Sequence, residues 1–211
     1  MPWLALAGAT GFIVSLLLAR FGQRRAKAAG FVLAGVLGLA IGFGLIKGFG
    51  RISAGPLSLN ADKLFIGISL ALILPSPWRW NRACWAWLGL ALGSLPLLAW
   101  LSGFVHWQPA LSWPVLWFIV GNLPSCIAED FFFRRFVQDH LHRLGKVGEI
   151  LLTATLFGLA HLGGGPLFAM LALLAGVYYS AVYRASGNSV WAVTGVHWLV
   201  NIARFVLFGL P

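Results

Sequence analysis

Long uninterrupted apolar blocks, separated by short basic or glycine-rich breaks, constrain this chain more than any other feature. A helix needs ~20 apolar residues to cross the hydrocarbon of a bilayer, and blocks near that length recur throughout the sequence. Eight are expected, at roughly 3–19, 28–46, 59–75, 84–104, 113–137, 148–163, 166–183 and 189–208. Within hydrocarbon a single apolar segment satisfies its backbone polar groups internally by folding as a helix. The expected fold class is therefore all-α, a polytopic membrane bundle of about eight transmembrane helices.

Composition agrees. Of 211 residues, 60% are hydrophobic and 9% charged, against about a quarter charged in a soluble domain. Too little polar surface exists to coat a water-soluble globule. Fifteen Lys and Arg stand against five acids, a net charge of +10. These cations form short clusters between apolar blocks rather than one continuous face, which argues against a nucleic-acid partner. Arg20, Arg24, Arg25, Lys27, Arg79, Arg82, Arg134, Arg135, Arg143, Lys146 and Arg184 alternate onto one side of the expected spans. Lys47, Arg51, Lys63 and Arg204 fall on the other. Eight spans with both termini outside satisfy the positive-inside rule. The lipid bilayer and its anionic headgroups are the expected partner of these charges. Cys84 and Cys126 lack the spacing of a metal knuckle or disulfide framework and read as buried thiols. The first block carries its charges after it rather than before it, which reads as a retained helix. Without an internal repeat or a long hydrophilic segment, residues 1–211 are expected to form a single membrane domain.

In such a chain the informative residues are polar ones at membrane depth. An ionisable group there costs about 2.5–3.5 kcal/mol on insertion scales, which makes it a functional candidate. Glu129 and Asp130 follow an apolar run from Val115 to Ala128. On a helix Asp130 and Arg134 stand at i and i+4 with the acid first, the favourable order for an ion pair. Asp130 is thus expected to anchor the helix. Glu129 points about 100° away and meets no cation at i+3 or i+4, which suits a general base. An acid pair that merely ends a helix at the interface accounts for the same residues. His161 closes the sixth block, just before Gly163-Gly164-Gly165-Pro166. A lone histidine there is usually interfacial or packed. His197 and Asn201, at i and i+4, share one face of the last block. They read either as interhelical glue or as two donors converging on an oxyanion.

Taken in order, Glu129-Asp130-x-x-x-Arg134, Phe157-x-x-x-His161 and His197-x-x-x-Asn201 resemble the motifs of the CPBP family. That family comprises the type II CAAX prenyl endopeptidases and their bacterial Abi relatives, with the pattern E-E-x-x-x-R, F-x-x-x-H and H-x-x-x-N or D. The resemblance spans roughly 113–208 and marks those helices as catalytic, leaving the helices of 1–105 without an assigned role. Two positions depart from the pattern: Asp130 stands where a second Glu is usual, and Arg135 where a small residue is common. By resemblance, the chain is a glutamate-type intramembrane endopeptidase without a cofactor. Its substrate would be a membrane-tethered protein or peptide. Glu129 and His161 would activate water, His197 and Asn201 would form the oxyanion hole, and Asp130 with Arg134 would hold the first of these helices in register. Relatives process prenylated C-termini, bacteriocin-related peptides and sorting tails. The small size and short loops resemble a prokaryotic, inner-membrane member.

Three other readings use the same residues. A zinc-dependent protease would take Glu129, His161 and His197 as ligands, but it lacks H-E-x-x-H and would consume the base. A transporter would use the buried Glu and His as a proton relay, yet paired broken helices are not evident. A non-proteolytic immunity or scaffold protein would have no need of every motif position. The expected topology also sets a geometric demand. Glu129 falls in the inner half of span five, while His161 falls near the outer end of span six. To meet, span six must be shorter or re-entrant, and span five longer and tilted.

Overall fold

The computed structural model describes residues 51–54, 57–60, 71, 74–109 and 111–208. The first two expected spans and most of the third lie outside these residues. Two strands, β1 (Arg51–Ala54) and β2 (Leu57–Asn60), pair antiparallel, with Arg51 opposite Asn60 and Ala54 opposite Leu57. Leu59 and Asn60, expected to open the third span, belong to β2 instead. The physical reason is visible in the alternation of Ile52, Ala54, Leu57 and Leu59 with Arg51, Ser53, Ser58 and Asn60. A period of two favours a strand over a helix. The hairpin is a local exception to the all-α expectation, which the other described elements meet.

Every other regular element described is helical: α1 (Arg82–Leu101), α2 (Trp113–Asp130), α3 (Gly145–Leu159), α4 (Pro166–Ala185) and α5 (Val190–Phe208). Local sequence explains where several begin. The Asn81 side chain caps α1 by accepting from the Cys84 amide at 3.2 Å. Pro114 and Pro166 occupy the first turns of α2 and α4, where a missing N–H costs nothing. Gly187 (φ 70°) and Asn188 (φ 64°) take the left-handed backbone that joins α4 to α5.

Beyond Asp130 the chain continues as a π-helical segment, Phe131–Gln138, so that α2 and its extension run from Trp113 to Gln138. Helix α3 has only 15 residues, about 22 Å at 1.5 Å per residue, against the ~30 Å of a bilayer core. Long span five and short span six are what bring Glu129 and His161 to a common depth. Among the described residues, four helical stretches are long and apolar enough to cross a membrane: α1, α2 with its extension, α4 and α5. Large apolar side chains stand outward, among them Leu97 and Trp100 on α1, Val120 on α2 and Met170 on α4, while Asp130 and Arg134 are fully buried. This arrangement inverts that of a water-soluble globule. It is a membrane protein.

Close helix contact depends on two glycines. A Cβ on Gly158 would fall 2.8 Å from the Leu173 Cβ, and one on Gly176 would fall 2.9 Å from the Ala154 Cα. Only a residue without a side chain lets α3 and α4 approach so closely. At the end where α1 begins, Asn81 Nδ2 donates to the Ala185 carbonyl at 2.7 Å and the Val190 amide to Ser76 Oγ at 2.8 Å. The same end carries a charge network. Arg184 grips the carboxylate of Glu149 with Nε and with Nη2, the latter at 2.5 Å. Asp139 accepts from Arg135 at 2.5 Å and from the Tyr183 hydroxyl at 3.0 Å. At the opposite end the Gln108 amide donates to the Leu207 carbonyl at 3.1 Å.

Candidate active site

Glu129 sits in the last turn of α2, two residues before the backbone widens into the π-helical segment. Segments of this kind are rare and frequent at functional sites. Its Oε2 lies 3.8 Å from His161 Nε2 and 4.0 Å from His197 Nε2. No cation was expected at i+3 or i+4 along its own helix. Two imidazoles from α5 and from the turn after α3 flank it instead. Sequence spacing within one helix carries no information about such neighbours.

His161 is oriented by its own helix end. Its Nδ1 lies 2.7 Å from the carbonyl of Phe157, four residues earlier, and the two rings meet with centroids 4.5 Å apart. A proton on Nδ1 donated to that carbonyl leaves Nε2 facing Glu129. The Phe157-x-x-x-His161 spacing thus does two things: it supplies the acceptor and the packing surface.

His197 projects from α5 into the same place. Its Nδ1 stands 3.2 Å from Asp130 Oδ2, and Tyr179 stacks on its ring at 4.5 Å and 25°. Asp130 therefore does more than anchor Arg134. The expected pair is present, but Arg134 Nε and Asp130 Oδ1 are 4.0 Å apart, beyond hydrogen-bond reach. The carboxylate is divided between the guanidinium and the imidazole. Arg134 in turn donates to Ser180 Oγ at 3.1 Å and lies over the rings of Phe157 and Tyr179, 5.2 and 5.8 Å from their centroids. Gln138 donates to the Ser180 carbonyl at 3.2 Å, tying the π-helical segment to α4.

Asn201, one turn beyond His197, donates through Nδ2 to Asn122 Oδ1 at 2.9 Å and to Cys126 Sγ at 3.4 Å. The Cys126 thiol donates to the same Asn122 oxygen at 3.1 Å. Sequence reading missed Asn122 and Tyr179. Asn122 carried a signal, being a carboxamide in an apolar block seven residues before Glu129, on the same helical face. Tyr179 carried none that distinguishes it from a packing aromatic.

Glu129, His161, His197, Asn201, Asn122 and Tyr179 all line one cavity of about 550 Å³. Apolar side chains, including Leu95, Phe118, Phe168 and Leu171, complete its wall. Among the described residues no group of three or more His, Cys, Asp or Glu is placed to hold a metal ion. What the cavity offers is a carboxylate and an imidazole across a gap that one water can bridge, with amide and imidazole donors beside it.

Residues 111–203 match the family described as Type II CAAX prenyl endopeptidase Rce1-like. The matched stretch contains all three motifs. No curated protein matches the chain, and no solved structure does.

Proposed function

From the match of residues 111–203 to the type II CAAX prenyl endopeptidases, we propose that the chain is a glutamate-type intramembrane endopeptidase that cuts a membrane-tethered protein or peptide. The observation that carries this reading is the 3.8 Å separation of Glu129 and His161 inside an apolar cavity. It exceeds a direct hydrogen bond and suits two groups that share one water.

In the proposed reaction, Glu129 and His161 Nε2 hold that water and take its proton as its oxygen adds to the peptide carbonyl carbon. The carbonyl electrons move to oxygen. His197 and Asn201 donate to this oxyanion, which preorganised donors in a dry site stabilise strongly. An imidazole donates through Nε2 while Nδ1–H binds Asp130 only as the imidazolium, and Asp130 and Glu129 flank the ring to balance that charge. Collapse of the intermediate breaks the C–N bond, and the proton held by Glu129 and His161 passes to the leaving amine. Asp130 and Arg134 keep the acidic end of α2 seated against α4 and α5. Zinc has no step here. Around this centre, eight spans with both termini outside remain our proposed topology, in a prokaryotic inner membrane, with residues 113–208 as the catalytic helices.

Purified chain and candidate membrane-tethered substrates test the assignment. Glu129→Gln and His161→Ala are expected to lower cleavage by about 10²–10⁴-fold, the usual contribution of general acid–base groups. A chelator is expected to leave the rate unchanged. Cleavage that survives both substitutions would refute the mechanism, and chelator-sensitive cleavage would replace it with a zinc enzyme.

A further inference from the structure

The proposed reaction needs His197 Nε2 aimed into the cavity, yet α5 alone does not fix the plane of that ring. Rotation of a histidine ring about its outer side-chain bond is broad and roughly two-fold. The 3.2 Å contact of Nδ1 with Asp130 Oδ2 chooses between the two half-turns, since the opposite ring edge is carbon. One hydrogen bond tolerates about 30° of tilt, which leaves the ring free to rock. Tyr179 removes that freedom. It is buried, and its ring lies on the imidazole with centroids 4.5 Å and planes 25° apart. Phe157 stands nearly perpendicular to both, 6.1 Å from each, at 81° to His197 and 83° to Tyr179.

The helix that carries Tyr179 is itself held tightly. Gly176, three residues earlier, brings α4 against Ala154 of α3, and Ser180, next in sequence, receives bonds from Arg134 and Gln138. Asp130 and Phe157 belong to the motif pattern, whereas Tyr179 falls outside it. An aromatic face also attracts cations. The Tyr179 ring thus suits an imidazolium that donates from both nitrogens, with the Arg134 guanidinium 5.8 Å from the same ring and Asp130 and Glu129 balancing the charge. Resting on the peptidase reading, we propose that Tyr179 is the positioning residue of His197: its ring, not its hydroxyl, holds the imidazole in the plane that aims Nε2 at the oxyanion. A displacement of about 1 Å at a reacting group costs about 10²-fold in rate. An aliphatic side chain fills much of the space without offering a flat face. A ring that only packed the core would raise stability and leave kcat alone.

Ring signals and turnover test this together. The full-length chain carrying ring-labelled histidine is studied by NMR in detergent micelles, where five histidines give few signals. His197→Gln identifies the signal of interest, and His161→Gln does so by elimination once His106, His140 and His142 are also changed to Gln. Protons over an aromatic face are shielded, so the His197 ring signals are expected upfield in the native chain and in Tyr179→Phe. In Tyr179→Leu, or Tyr179→Met if that variant does not fold, the upfield shift is expected to be lost. Turnover is read on N-dodecanoyl apolar decapeptides in the same micelles, with Glu129→Gln as the blank. For the peptide cut fastest, the aliphatic variant is expected to lower kcat about ten- to a hundred-fold with little change in KM. Tyr179→Phe is expected to keep most of kcat. Thermal unfolding registers lost packing separately. An unshielded His197 ring in the native chain, or ring signals unmoved by the aliphatic variant, overturns the proposal. So does native kcat in that variant, or a loss confined to KM. An equal loss in Tyr179→Phe assigns the role to the hydroxyl and likewise overturns it. If no peptide is cut but the ring shifts as expected, the peptidase reading fails while the restraint on His197 stands.

Discussion

Asp130 on α2 and His197 on α5 meet through Oδ2 and Nδ1 at 3.2 Å, with the carboxylate wholly buried. The contact joins a residue expected to be structural to one expected to act on substrate. It makes the acid that orients Arg134 also the acid that sets the imidazole ring.

Replacing Asp130 therefore separates two effects. Asp130→Ala leaves Arg134 and His197 buried without their carboxylate and is expected to lower stability by about 3–5 kcal/mol. Thermal unfolding in detergent measures this. Asp130→Asn keeps the shape but changes what Nδ1 meets, and kcat is expected to fall by about 10²–10⁴-fold with little change in KM. Asp130→Glu, the residue usual in the related motif, should retain activity. Full activity in Asp130→Asn would remove Asp130 from the site.

Asn122 holds the Asn201 amide from the facing helix. Asn201→Ala is expected to cost about 10²–10³-fold in kcat, as loss of an oxyanion donor does. Asn122→Leu is expected to cost less, and Asn122→Asp, which keeps an oxygen at that place, to restore most of the rate. Steady-state kinetics of the three variants provide the check, and a KM effect alone would contradict a positioning role.

The Glu149–Arg184 pair lies at the other end of the bundle and neither residue lines the cavity. A double-mutant cycle of Glu149→Gln and Arg184→Gln is expected to give a coupling energy of about 0.5–3 kcal/mol in unfolding. Turnover of the folded protein should be unaffected. A large loss of kcat at unchanged stability would link this network to catalysis.

Gly158 should not tolerate a side chain, because a Cβ there meets Leu173 and the Ala169 carbonyl at 2.8 and 2.9 Å. Gly158→Val is expected to destabilise by about 1–3 kcal/mol through overpacking. Its carbonyl also accepts from the His161 amide at 2.9 Å, so the variant should lose activity beyond its loss of folded protein. Gly163→Ala, with open space around its Cβ, is the control expected to be neutral.

Much of the site was legible before any fold was known. An ionisable or amide group in hydrocarbon is costly wherever it occurs, so Glu129, Asp130, His161, His197 and Asn201 stood out against an apolar background. Their order on three late blocks carried the family resemblance, and the later matches agree with it over residues 111–203. The hairpin at Arg51–Asn60 was misread at its edge, because Leu59 and Asn60 adjoin a long apolar run and its pull outweighed the short alternation before it.

By itself the sequence determined the membrane environment, the places of the later helices and the set of polar side chains that a bilayer would not tolerate without a purpose. Tertiary structure alone decided the partners: that His197 turns to Asp130, that Asn122 receives Asn201, and that a widened helix and a short one bring Glu129 level with His161. The reason is physical. Depth and polarity are properties of a residue in its own helix, whereas partnership depends on which faces of different helices meet. In a chain apolar on nearly every face, periodicity leaves that choice unmarked.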